Sequence, residues 1–261
     1  MAMKGIILAG GEGTRLYPIT LAISKHLIPI YNKPLIHYPL STLMLARIRD
    51  ILVITKEVDT EAFKNLLGDG SQFGINISFE IQKKSTGIPE AFIIGKKFIG
   101  NDSVVLILGD NFFYGPGIGR SLEASKPLGA KIFLKEVSNP NDFGVLELNT
   151  DGSPYRIIEK PTQINSNLAV TGLYFYSNKV VELASSLKPS QRGETEITDL
   201  NNIFLNNNEL ETHFLPRSTV WFDTGTFEGI HNASEFVRII ESQQKINVGD
   251  PKEIAKSNGW I

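Results

Sequence analysis

The sequence predicts an α/β protein whose mixed, mostly parallel sheet is flanked by helices, with a smaller and partly antiparallel sub-region in the second half. Three observations predict this. Short runs of β-type residues alternate with stretches of helical apolar spacing as far as Ala130, and from Lys131 the strand-like runs crowd together. The chain of 261 residues, 41% hydrophobic and 21% charged, is also long enough to bury a full core.

Taken in order, 5–8 reads as the first strand, 35–47 as a helix, 51–55 and 75–79 as strands, 91–98 as a helix and 104–108 as a fourth strand. Strand to helix to strand implies parallel neighbours with helical crossovers. The runs 132–137, 145–148, 156–158 and 170–176 are too close for such crossovers, and Asp151-Gly152 supplies a hairpin-type turn. Helical spacing returns at 179–186, 197–205 and 227–243. No Pro/Gly/Ser-rich linker divides the chain, so 1–261 is expected to form one domain with halves of about 1–130 and 131–261.

A formal charge of −2 supplies no global cationic field, which argues against nucleic acid and requires any phosphate ligand to be held locally. The absence of cysteine excludes disulfides, thiolate metal sites and cysteine nucleophiles. The start lacks a charged region followed by a long apolar one, and no run approaches the ~20 apolar residues of a membrane span. A cytoplasmic protein without a membrane partner is expected.

Directly after the first strand stands LAGGEGTRL, three glycines in four positions where a backbone turn can approach a phosphate chain closely. It is not GxGxxG, because Leu16 stands where a third glycine is needed, and it lacks the Gly-Lys-Ser/Thr of a P-loop. Arg15 follows at once and Lys25 ten residues on, both suited to phosphate oxygens. On its own the run reads equally as a glycine turn beside a surface arginine.

The segments LAGGEGTRLYP, SKHLIPIYNKPLIHYPLSTLMLA, LLGDGS, LGDNFFYG, EKP, AVTGLYFY, RGETEITDLN and WFDTGT follow one another along nearly the whole chain. In this order they resemble the glucose-1-phosphate thymidylyltransferases. The resemblance implies a Rossmann-like nucleotide-binding fold with a sugar-binding and assembly half. It also implies that dTTP and glucose 1-phosphate are joined with Mg2+ to give dTDP-glucose and pyrophosphate, for deoxysugar synthesis of the rhamnose type. By the same resemblance Leu8, Gly10, Gly11, Gly13, Thr14, Arg15, Gln82, Gly87 and Asp110 contact the nucleotide. Gly144, Glu159, Lys160, Val170 and Arg192 surround the sugar phosphate, Asp110 and Asp223 hold the metal, and Arg15, Lys25, Asp110 and Lys160 serve catalysis.

Elementary chemistry supports these roles. Mg2+ prefers hard oxygens and is commonly held by one or two carboxylates plus substrate phosphates. Glutamine at position 82 can accept from N3–H of thymine and donate to O4, although uracil offers the same edge. Taken alone, Asp110 and Asp223 also suit turns, Glu159-Lys160 a solvated charge pair, and Gln82 a surface strand. Arg192 either reaches the sugar phosphate or fixes the start of the following helix. Asp110→Asn and Arg15→Ala are expected to cut turnover by orders of magnitude without unfolding the chain.

Five positions depart from the family pattern. Glu12 places a carboxylate in the phosphate loop, where it must face solvent, a cation or the metal. His26 stands where glutamine is usual, and either titrates near neutrality or serves as a packing group. Pro89-Glu90 replaces Ala-Gln beside the base site, and Phe143 occupies a tyrosine position. Relatives usually extend past the position of Ile261 into helical structure associated with assembly and feedback, so inhibition by dTDP-rhamnose is an open question while a homo-oligomer, tetramer or dimer, is expected. A uridylyltransferase using UTP and a catalytically silent nucleotide-sugar sensor are the competing readings. The failed GxGxxG fit disfavours a dehydrogenase.

Overall fold

The computed structural model describes residues 3–261 except 124, 126 and 164. In chain order the first half contains β1 (Met3–Ala9), β2 (Pro29–Ile30), β3 (Lys33–Pro34), α1 (His37–Leu45), β4 (Asp50–Thr55), α2 (Thr60–Leu67), β5 (Asn76–Ile81), α3 (Glu90–Ile94), α4 (Lys96–Ile99), β6 (Ser103–Leu108), β7 (Asn111–Tyr114) and α5 (Ile118–Glu123). The second contains β8 (Ala130–Glu136), β9 (Gly144–Leu148), β10 (Pro154–Glu159), β11 (Leu168–Tyr176), α6 (Val180–Ser186), α7 (Ile197–Asn206), β12 (Leu210–Phe214), β13 (Val220–Asp223), α8 (Phe227–Gln244) and α9 (Pro251–Ser257).

Nine strands form one sheet in the order β10-β9-β11-β6-β1-β4-β5, with β8 and then β12 branching from β11. The neighbours β6, β1, β4 and β5 are parallel, as expected from their helical connections. β11 pairs antiparallel with β6, β8 and β9, and β9 with β10, while β12 returns parallel to β8. Thus β10 and β11 alone oppose the direction of the other strands. The Leu148–Pro154 connection is the expected hairpin, closed by Asn149 N–H to Ser153 O at 2.8 Å, with Gly152 in the left-handed region at φ 82°.

One face of the sheet buries Ile7, Val53, Ile107 and Phe175 beneath α1 and α2, while the other buries Ile6, Leu52, Leu106 and Tyr176 beneath α3, α6 and α7. A third cluster, Tyr38, Phe112 and Val237, seats α8. The helix expected at 91–98 is two short helices broken at Gly95, where an added Cβ would lie 2.8 Å from Ile6 Cδ1. The short paired strands β7 and β13 were not anticipated. Among the described residues no helix is long and apolar enough to cross a membrane.

Candidate active site

The parallel strands β1, β5 and β6 all end on one side of the sheet, and the segments following them supply the glycine loop, Gln82 and Asp110. This is where open α/β sheets place ligands. Two adjoining cavities open there. The larger, about 650 Å3, is bounded by Leu8, Gly11, Gly13, Thr14, Gln82 and Gly87. The smaller, about 170 Å3, is bounded by Arg15, Asp110, Gly144, Glu159, Lys160, Val170 and Asp223. Ile88 belongs to both walls.

The two aspartates meet because β7 and β13 pair antiparallel with Asn111 opposite Asp223. Thr224 completes the join, its N–H and Oγ1 donating to Asp110 O at 3.0 and 2.7 Å. Asn111 extends the same framework: its Oδ1 accepts from Gly172 N–H at 3.0 Å and Trp221 Nε1 at 2.6 Å, while its Nδ2 donates to Asp110 Oδ1 at 3.0 Å. Gly172 is available because β11 leaves the β8 ladder between Val170 and Tyr174.

Lys25 Nζ is paired directly with Asp110 Oδ2, both side chains being largely buried. Burial opposes ionisation of Asp110, but the Lys25 charge and hydrogen bonds from Lys25 and Asn111 hold its carboxyl well below the usual range. Asp223 behaves oppositely. Burial and the adjacent Asp110 charge push it up, only partly offset by Gly225 N–H, Arg15 and Lys25. Arg15, largely exposed, reaches Asp223 at 3.9 Å. Two carboxylates on the wall of one cavity form a hard-oxygen donor set suited to a divalent cation that keeps water or phosphate as its other ligands.

On the sugar side Glu159 is held from two directions, accepting from Thr198 Oγ1 at 2.5 Å and Arg192 Nη1 at 3.4 Å. Arg192 also meets Glu196 at 3.7 Å, at the residue preceding α7. Arg192 lies outside both cavity walls, between Glu159 and Glu196. Lys160 is exposed at the cavity wall with φ 42°.

Several expectations are corrected or narrowed here. His26 does not titrate near neutrality: burial, aided by Lys25, pushes it down to about 3, and it shares a 3.1 Å hydrogen bond with Ser24 Oγ. Glu12 resolves toward solvent at the rim of the larger cavity. Asp110→Asn cannot be free of structural cost, because it leaves the Lys25 ammonium buried without its counter-ion. Thr198, Asn111 and Trp221 were missed as contributors, and Glu90, noted beside the base site, was not expected to bond Gln82. Asn111 and Trp221 sat in the quoted motifs, but nothing local showed that they bond each other across 110 positions.

With the fold and site in place, comparison with known proteins identifies the class. Residues 4–239 match the nucleotidyl transferase family, and the chain belongs to that family. It is 54% identical, over 99% of its length and 90% of the relative's, to the glucose-1-phosphate thymidylyltransferase of Mycolicibacterium smegmatis. A Bacillus anthracis structure in complex with a sucrose, assigned to the same group of enzymes, superposes with a TM-score of 0.85 at 38% identity, covering 97% of this chain and 99% of that one. A UDP-glucose pyrophosphorylase complexed with UDP-glucose is similar at a TM-score of 0.79 and 26% identity, covering 92% and 99%.

Proposed function

We propose that the chain transfers the thymidylyl group of dTTP to glucose 1-phosphate, giving dTDP-glucose and pyrophosphate. The observation that carries this reading is the position of Asp110 and Asp223 at a cavity walled by Glu159 and Lys160 and adjoining the one bounded by the glycine loop and Gln82. Gly11, Gly13 and Thr14 cradle the triphosphate, Leu8, Gln82 and Gly87 receive the base, and Gly144, Glu159 and Val170 receive the hexose.

An oxygen of the sugar phosphate attacks the α-phosphorus, and the bond from that phosphorus to the bridging oxygen of the β-phosphate breaks as pyrophosphate leaves. The attacking phosphate, with a second pKa of about 6, is ionised near neutrality, so no protein base is needed. Two anions must be brought together, and Lys160 on the sugar phosphate with Arg15 and Lys25 on the triphosphate oppose their repulsion. Asp110 and Asp223 would hold Mg2+, which when bound neutralises phosphate charge and aligns the triphosphate. Arg192 keeps Glu159 turned toward the hexose. A cytoplasmic homo-oligomer of single-domain subunits completes this reading.

A second reading, transfer from UTP, is favoured by the likeness to the UDP-glucose pyrophosphorylase and by the identical hydrogen-bonding edges of uracil and thymine. The missing 5-methyl group is worth about 1 to 3 kcal/mol in a hydrophobic pocket. The deciding experiment is pyrophosphate release from a panel of nucleoside triphosphates against hexose 1-phosphates, with and without Mg2+. The highest kcat/KM is expected for dTTP with glucose 1-phosphate. Preference for UTP would transfer the assignment to the second reading, and inactivity with every pair would indicate a silent sensor.

A further inference from the structure

The larger cavity presents one carboxamide whose orientation is dictated by a second residue. Gln82, only 6% exposed, donates from Nε2 to Glu90 Oε2 at 2.8 Å. An ionised carboxylate only accepts, so the amide nitrogen must face Glu90 and Oε1 must face away; turning the amide over would oppose two acceptor oxygens. Oε1 lies against Gly10, so close that a Cβ there would collide with it. Among the described residues nothing else bonds Oε1 or the second Nε2 hydrogen, and Gln82 borders the cavity, so both are open to a ligand there.

Glu90 is itself fixed. It begins α3, and the same Oε2 accepts from Thr86 N–H at 3.3 Å. Thr86 O in turn accepts from Thr195 N–H at 2.8 Å and Thr195 Oγ1 at 3.0 Å. The carboxylate therefore has a defined place between the loop that follows β5 and the segment that precedes α7.

An acceptor beside a donor complements a pyrimidine with N3–H and O4. Cytosine presents the reverse pair, an N3 acceptor and a 4-amino donor, and would need the amide turned over. We propose that Glu90 is the positioning residue for base choice: it locks the Gln82 carboxamide in the orientation that accepts from N3–H and thereby excludes cytosine nucleotides. This rests on Gln82 reading the base, and goes beyond it by naming what sets the direction of that reading.

The test measures kcat and KM for dTTP and dCTP at saturating glucose 1-phosphate in the full chain and in Glu90→Leu, Glu90→Ala and Gln82→Leu. Leucine fills similar space but accepts no hydrogen bond. In Glu90→Leu the KM for dTTP should rise about tenfold, the cost of one charge-assisted hydrogen bond, with kcat changing less. The kcat/KM for dCTP should rise in absolute value, because the amide is free to turn. Glu90→Ala, which likewise accepts nothing, decides by the same dCTP gain if Glu90→Leu does not fold. A parallel loss with both nucleotides, or no change with either, overturns the positioning role. If Gln82→Leu keeps the wild-type preference, the base-reading assignment itself fails; if it loses the preference while Glu90→Leu retains it, only the role of Glu90 fails.

Discussion

Asp110 and Arg15 show how differently two residues of one site respond to removal. Arg15 is largely exposed, so Arg15→Ala should lower the rate of pyrophosphate release by orders of magnitude with little change in Tm. Asp110→Asn should be as inactive but also less stable by about 3 to 5 kcal/mol in urea titrations, because a buried Lys25 loses its counter-ion. The glycines separate in the same way. A Cβ at Gly10 would meet Gln82 Oε1, whereas one at Gly11 would rest 3.5 Å from Lys25 Cε, an ordinary contact. Gly11→Ala should therefore keep its Tm in the free protein and raise KM for the nucleotide. Residue types and motif order picked out many of the residues that the fold brings to the walls of the two cavities. What stayed hidden was partnership at a distance: Thr198 on Glu159, Glu90 on Gln82 and Trp221 on Asn111 are bonds between segments that only the folded chain brings together.

At the scale of elements, strong periodicity translated directly into structure. The strands of the parallel region and the long α8 were readable because apolar residues recur at the period of the element they form. β7 and β13 were not, since four-residue strands carry too little pattern to separate from loop, yet they unite the two aspartates. The start of α1 carries a consequence for pH. His37 has Nε2 buried without a protein partner among the described residues and packs edge-on to Phe73 at 6.4 Å. Burial, with Lys33 adding to it and Asp250 opposing, pushes its pKa from 6.5 down to about 4. The unfolded chain therefore binds this proton first as pH falls. Stability from a neutral His37 is complete above pH 6.5 and declines toward pH 4, with a slope of up to about 1.4 kcal/mol per pH unit. His37→Gln should reduce the difference between urea midpoints measured at pH 7 and pH 5.

For the whole molecule, continuity of the sheet decides how the halves behave. β11 bonds β6 of the first half along one edge and β8 and β9 of the second, so neither half can lose its strands without uncovering the other. One cooperative unit is the expectation, and the two tryptophans can test it. Trp221 packs against Phe143 at 5.0 Å, while Trp260, from the end of the second half, packs on Gly74 and lies 5.4 Å from the Arg49 guanidinium of the first. Fluorescence of Trp221→Phe and Trp260→Phe should report coincident midpoints once each is corrected for its own stability by circular dichroism; separated transitions would divide the chain into two domains. The pairing of β7 with β13 also sets an order of events during synthesis. A ribosome releases Asp110 long before Asp223, and until β13 emerges and docks, Asp110 has Lys25 beside it but no second carboxylate. A polypeptide halted short of that strand can display the whole glycine loop and still lack half of the acidic pair, so the pair exists only once translation has passed position 223.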